Sequence, residues 1–171
     1  STYWLDIPNL QSGVEYRFQY HIDAEGMRVA DVYADKILDY WNDPWISETT
    51  YPNLIDYPVG LTSEPVSVFT INPPSFNWTD QAFVRPAKSK LVVYELLVRD
   101  FDARRSYQAV IDKLDYFKNL KINAIQLMPV MEFEGNESWG YNTAYHMALD
   151  KFYGTSDKLK ELIDKCHQNG I

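Results

Sequence analysis

The sequence predicts an α/β unit in its second half, preceded by a smaller all-β module. Three observations carry this reading. Residues 91–98 and 124–128 are near-continuous apolar runs, the pattern of strands buried on both faces of a parallel sheet. Between them Tyr107, Val110, Ile111, Leu114, Phe117 and Leu120 recur at helical spacing, with Lys113, Asp115 and Lys118 facing out. Ahead of both, Val14, Tyr16, Phe18, Tyr20 and Ile22 alternate with polar residues, the period of a half-buried antiparallel strand.

In the first half, residues 3–7 alternate and stop at Pro8, as a short strand would. The long alternating strand follows over residues 14–23. Ala24-Glu25-Gly26 reads as a hairpin turn, and residues 27–32 as the returning strand. The segment 39–86 is rich in Pro, Asn, Tyr and Trp and holds one further strand-like run, 66–71, which Asn72-Pro73-Pro74 ends because proline offers no N–H to a ladder. Trp41, Trp45 and Trp78 are expected to pack under loops or at a joint between domains, since large aromatics serve burial. His21 has no His or Cys neighbour that would make it a metal ligand. Two or three strands are too few for a stable sandwich, so either the first strands of the sheet lie upstream of Ser1, the reading favoured, or this piece packs on its neighbour.

In the second half, Glu95 lies within an apolar run and is expected to be paired, with Arg99 or Arg17 as partner. Ser106 is placed to cap the helix that follows. Strand, helix and strand within about 40 residues make a right-handed βαβ unit. A second helix begins near Ser156, with Leu159, Leu162, Ile163 and Cys166 as its apolar stripe and Gly170 as its C-terminal cap. Ile171 would open a third strand, so the chain reads as a piece of a larger protein. Between Pro129 and Thr155 lie 25 residues without clear periodicity, including Phe133, Trp139, Tyr141, Tyr145, Phe152 and Tyr153. Loops of this length in compact domains are uncommon and tend to be functional. This one follows the C-terminal end of a strand, the face where parallel α/β barrels place their sites.

Composition narrows the partners. The 171 residues carry a formal net charge of -8, and no basic patch offers itself to nucleic acid or to an anionic membrane surface. A neutral substrate fits this charge better. Aromatics are 15% of the chain, a share that suits plain core and flat stacking platforms alike. Cys166 is the only cysteine, which excludes an intrachain disulfide. No apolar run is long enough to span a membrane.

Residues 93–101 (VYELLVRDF), 120–130 (LKINAIQLMPV), 139–142 (WGYN) and 152–155 (FYGT) together resemble, in order and spacing, the start of the catalytic barrel of the alpha-amylase superfamily, glycoside hydrolase family 13. Residues 30–34 (ADVYA) resemble the Asp-Pro-Tyr-Ala segment of the β-sandwich that precedes the barrel in branching enzymes and pullulanases, an early-set, carbohydrate-module-48-like domain, with Val32 in place of proline.

The resemblance implies a TIM (β/α)8 barrel preceded by part of an immunoglobulin-like sandwich. Residues 1–85 would form the sandwich portion and linker, and residues 86–171 the first βαβα of the barrel. It further implies a retaining, α-amylase- or pullulanase-type hydrolase acting on starch- or glycogen-like glucan, with an aspartate nucleophile and a glutamate acid/base. The alternatives are a 1,4-α-glucan branching enzyme and a non-catalytic carbohydrate-binding fragment. The catalytic carboxylates are expected beyond Ile171, and Glu132, Glu134 and Glu137 are read as a solvated loop face. Tyr141 matches the tyrosine that stacks on the glucose ring beside the scissile bond. Asn142 is a candidate polar partner of the sugar, and Trp139 a substrate-site residue expected as a buttress for Tyr141, with direct sugar contact as the alternative. The partner implied is an α-glucan or maltooligosaccharide. No cofactor is expected in this chain, although the resemblance allows calcium in the full-length protein. A periplasmic or extracellular setting is favoured over the cytoplasm. Lys121 stands where the family usually has glycine, which suggests a slightly different turn. Uncovered apolar strand edges predict self-association of the piece alone.

Overall fold

A computed structural model describes residues 3–171. The first half is built on β5 (Val66–Thr70), whose Val66, Ser67 and Val68 are all buried. It is flanked antiparallel by β1 (Glu15–Phe18) and by β4 (Lys36–Leu38). β2 (Tyr20–Ile22) and β3 (Met27–Val29) form a separate hairpin. Its turn is closed by the Glu25 N–H on the Ile22 carbonyl at 3.1 Å and contains Gly26 at φ 64°. These are the expected turn and returning strand.

The alternating run over 14–23 is not one strand. It breaks at Gln19, whose Nε2 donates to the carbonyls of Pro65 at 2.8 Å and Glu64 at 3.3 Å, so β1 and β2 enter different sheets. Alternation fixes which face a side chain takes but not which strand it pairs with. Tyr16 and Phe18 are half-buried against Phe69, with ring centroids 5.6 and 5.5 Å away, while Tyr20 and Ile22 are exposed. Residues 3–7 do not form a strand; they join no ladder, and Tyr3 and Trp4 lie open to solvent.

The second half contains the expected parallel pair. β6 (Val93–Leu96) and β7 (Ala124–Leu127) run in register from Val93↔Ala124 to Leu96↔Leu127. After β6 come a single turn, α1 (Val98–Phe101), then α2 (Tyr107–Ile111) and α3 (Leu114–Asn119). Ser106 caps α2 by accepting the Ala109 N–H at 3.3 Å. The helix read as continuous is interrupted at Asp112-Lys113, where the Lys113 N–H bonds the Val110 carbonyl three residues back. The apolar stripe nevertheless stays on the core: Tyr107, Val110, Leu114 and Phe117 are buried with Leu96, Val98, Leu162 and Cys166.

Lys121 adopts φ 60°, the left-handed conformation glycine would take. The turn is thus of the glycine type, held by a residue that pays a steric cost there, and not a different turn. α4 (Ser156–Gln168) is capped by Thr155 and closed by the Ile171 N–H on the Cys166 carbonyl and the Gly170 N–H on the His167 carbonyl, with Gly170 at φ 74°.

Burial on both faces of β6 is not observed. Val93 and Glu95 are exposed, because a strand is covered on both faces only when elements lie on both, and among the described residues β6 and β7 form a sheet of two strands. Glu95 makes no ion pair among the described residues; Arg99 pairs with the adjacent Asp100 through Nε–Oδ1 at 2.7 Å. The halves meet where Ala30, Ala34 and Ile37 pack on Ala148 and Tyr145. They meet again where Thr79 donates its N–H and hydroxyl to Asp164, both at 2.7 Å, and Phe83 stacks on His167 at 4.2 Å.

Candidate functional site

The stretch read as an aperiodic loop is largely an irregular hairpin, β8 (Met131–Phe133) with β9 (Thr143–Leu149), followed by a 3-10 turn over Lys151–Tyr153. Its tip, residues 134–142, stands beyond the C-terminal end of β7 and carries all three sequence-identified site residues.

The tip is positioned by Gly140. A Cβ built there would fall 2.2 Å from the Pro129 carbonyl oxygen, and the residue sits at φ 89°. Only glycine allows the tip to lie directly on the chain leaving β7. Ser138 Oγ accepts the Gly140 N–H at 2.9 Å and donates to Asn142 Oδ1, and Thr143 Oγ1 donates to the Gly140 carbonyl at 3.1 Å. This small network fixes both neighbours of Tyr141 and leaves its ring 68% exposed. Asn142 is spent on Ser138 through its oxygen and keeps its amide N–H groups for other partners. Trp139 is 63% exposed and its ring does not pair with Tyr141, so it is not the expected buttress; backbone and Ser138 do that work.

The neighbouring end of β6 adds charge. Arg99 chelates Asp100, and Arg105 pairs with Glu137 at the tip. The guanidinium beside it holds the Asp100 carboxyl below its ordinary range. Glu134 and Glu137 face solvent as expected.

Glu132 does not. It is 7% exposed and meets Lys151 Nζ at 2.6 Å, while Asp43 from the first half reaches the same nitrogen at 3.2 Å. Asp150 completes the group and accepts the N–H of Phe152 at 2.9 Å and of Phe133 at 3.3 Å. Pattern reading missed this cluster because alternation cannot show a carboxylate turning inward towards a lysine in the 3-10 turn beyond β9. One ammonium serves three buried carboxylates. Burial pushes Glu132 up to about 8 and Asp150 up to about 6, against the pull of Lys151, which the carboxylates hold protonated. Among the described residues no group of His, Cys, Asp and Glu is arranged to hold a metal, and the point where these carboxylates converge is filled by Lys151 Nζ.

A family model for the alpha-amylase catalytic domain matches residues 70–171. The chain belongs to this family. The match covers β6, β7, the tip and α4, which makes this half part of the family's α/β barrel. Among curated relatives, a malto-oligosyltrehalose trehalohydrolase of Saccharolobus solfataricus is 35% identical over 98 residues, 57% of this chain and 18% of that one. A 1,4-alpha-glucan branching enzyme of Picrophilus torridus is 33% identical over 101 residues, 56% of this chain and 14% of that one. A crystal structure described as an alpha amylase of Salmonella typhimurium superposes with a TM-score of 0.71 at 28% identity, over 98% of this chain and 24% of that one. The chain thus spans about a fifth of the length of such alpha-amylase-family relatives.

Proposed function

We propose that the parent protein is a retaining α-glucan-active glycoside hydrolase, and that this chain supplies one wall of its substrate site. The observation that carries the reading is Tyr141, an exposed ring held on a turn that Gly140 locks to the strand end. Such a ring offers an apolar plate to the C–H face of a glucose unit, while hydroxyls at the sugar's rim need polar partners, of which the Asn142 amide is one. The chain's acidic residues are not assigned to the cleavage step. Glu132 faces Lys151 in the interior and cannot reach a glycosidic oxygen. The aspartate nucleophile and glutamate acid/base of a retaining reaction are assigned to other parts of the parent.

The first half, with its three-stranded sheet and hairpin, is taken as the end of an immunoglobulin-like sandwich with linker to about residue 85, and the barrel as starting at 86. A polymeric glucan substrate supports a periplasmic or extracellular setting. Similarity to a branching enzyme favours a second reading, transfer in place of hydrolysis. Product analysis separates the two: hydrolysis releases reducing ends, whereas transfer leaves their number unchanged and raises α-1,6 content.

The test is Tyr141→Ala in the full-length protein, assayed on maltooligosaccharides. Losing one stacked ring at the reacting sugar is expected to lower kcat/KM by about tenfold to a hundredfold, the equivalent of about 1.4–2.7 kcal/mol. Kinetics equal to wild type would remove Tyr141 from the site and with it the basis of the reading.

A further inference from the structure

The hairpin that carries Tyr141 has a poor ladder of its own. β8 and β9 pair at Met131↔Leu149, Glu132↔Tyr145 and Phe133↔Thr143, with a register shift between each rung and the next. Side chains close its base instead. Asp150 accepts the N–H of Phe133, the last residue before the tip, and of Phe152, and its own N–H bonds the Val130 carbonyl at 2.9 Å. Glu132, one residue before Phe133, meets Lys151 Nζ at 2.6 Å. A second route ties the tip to the same ammonium. The Asn136 side-chain amide, within the tip, donates to the Asn42 carbonyl at 2.8 Å, and the next residue, Asp43, reaches Lys151 Nζ at 3.2 Å. The indoles around Asn42 do not fix that loop: Trp41 and Trp45, expected to be buried, are 70% and 77% exposed. Polar ties hold it. Asp39 Oδ1 accepts the N–H of Trp41 at 2.7 Å and of Asn42 at 3.1 Å, and Asp43 Oδ2 accepts the Asp39 N–H at 3.0 Å.

We infer that Lys151, Glu132 and Asp150 are positioning residues for the wall that Tyr141 presents to substrate, seating the tip both from the base of its hairpin and, through Asp43 and Asn42, from its side; the inference rests on the glucan reading above. The seat responds to protons because one ammonium faces several buried carboxylates. The other groups around Glu132 give no relief. Tyr145 across the ladder and Tyr107 from α2 are neutral, Asp39 beside Asp43 is acidic, and Tyr153 meets the field of Asp150 together with Arg99, Asp100 and Arg105. Glu132 Oε2 and Asp43 Oδ1 are buried and accept no hydrogen bond among the described residues. Burial therefore raises Glu132 to about 8, so that it holds a proton at neutral pH and loses it as pH rises through that value. Losing it leaves further uncompensated negative charge at the base of the hairpin. The available relief is for Glu132 to turn out towards water, which moves Phe133 and unseats the tip. Seating is thus complete below about pH 8 and weakens above it.

The experiment compares the full-length protein with Glu132→Gln, which keeps the shape of the side chain and cannot ionise. kcat/KM on maltooligosaccharides is measured from about pH 6 to about pH 9, and hydrogen–deuterium exchange of peptides spanning residues 134–142 is followed at both ends of that range without substrate. Between them, kcat/KM of wild type should fall about three- to tenfold further than that of E132Q. At about pH 9 the tip of wild type should exchange about threefold or more faster than that of E132Q, with peptides from β6 and β7 exchanging alike in both. A merely structural role would lower activity by the same factor at every pH. A wild-type to E132Q ratio that does not change with pH overturns the inference, and so does equal exchange of the two tips at about pH 9. Equal exchange in a protein that cleaves or transfers α-glucan refutes this inference alone. A tip that tightens in E132Q, in a protein that neither binds nor alters any α-glucan, supports the seating and refutes the functional reading beneath it.

Discussion

Replacing Lys151 with methionine should be the most damaging single change at the joint between the two halves. Lys151 is 2% exposed, and its ammonium is the only cation in contact with Asp43 and Glu132 among the described residues. Methionine retains most of the volume, so the loss is electrostatic. Removing one partner of a buried ion pair costs about 3–5 kcal/mol because the charge left behind stays uncompensated. The cost should depend on pH with a definite sign. In the wild type, Glu132 is raised from 4.5 to about 8 and Asp150 from 3.8 to about 6. Through these two groups the folded state binds more protons than the unfolded chain between about pH 4 and 8, and their contribution to stability falls as pH rises through that window. Glu132 Oε2, buried without a hydrogen-bond partner, is where such a proton can reside. Without Lys151 the carboxylates hold protons still more tightly, so the variant loses stability with pH faster than wild type. Urea unfolding followed by tryptophan fluorescence at about pH 5 and pH 8.5 should give a destabilisation near the lower end of the range at pH 5 and at or beyond the upper end at pH 8.5. The K151M/E132Q double variant should recover part of the loss at pH 8.5. A destabilisation below about 1 kcal/mol, or one that does not change with pH, would refute the reasoning, because it would mean the cluster is hydrated and unstrained.

Gly140→Ala in the parent should lower kcat/KM on maltooligosaccharides as far as Tyr141→Ala does, since a Cβ 2.2 Å from the Pro129 oxygen must displace the turn. The control is Gly135→Ala, at φ 79° but with open space around it; it should cost only the about 1–2 kcal/mol of left-handed strain and leave turnover unchanged. Equal kinetics for the two variants would refute a positioning role for Gly140. Lys121→Gly should stabilise the chain by up to about 1 kcal/mol, because it relieves a left-handed lysine at φ 60°. A destabilised K121G, measured by the same urea titration, would show that the entropy lost with glycine outweighs that strain.

What the sequence disclosed divides along physical lines. Parallel pairing of β6 with β7, the caps at Ser106 and Gly170, and the buried stripe of α4 were legible because each is set by nearby residues or by a period the chain repeats. The turn at Trp-Gly-Tyr-Asn is local for a related reason: Gly140 and Ser138 act on the neighbours of Tyr141 from within three residues. What was missed depends on partners far along the chain. Gln19 ends a strand only because carbonyls at 64 and 65 are there to receive its amide. β8 and β9 pair across bulges that erase the alternation a regular hairpin would show. Glu132 turns inward because the Lys151 ammonium, which Asp43 of the first half shares, meets it in the interior, and the same anchoring of Asp43 holds the loop that carries Trp41 and Trp45. One long-range ion cluster therefore accounts for a carboxylate read as solvated and anchors the loop of a pair of indoles read as buried. It also links them: loosening the cluster should free the indole loop and the Tyr141 tip together, through Asn42 and Asn136.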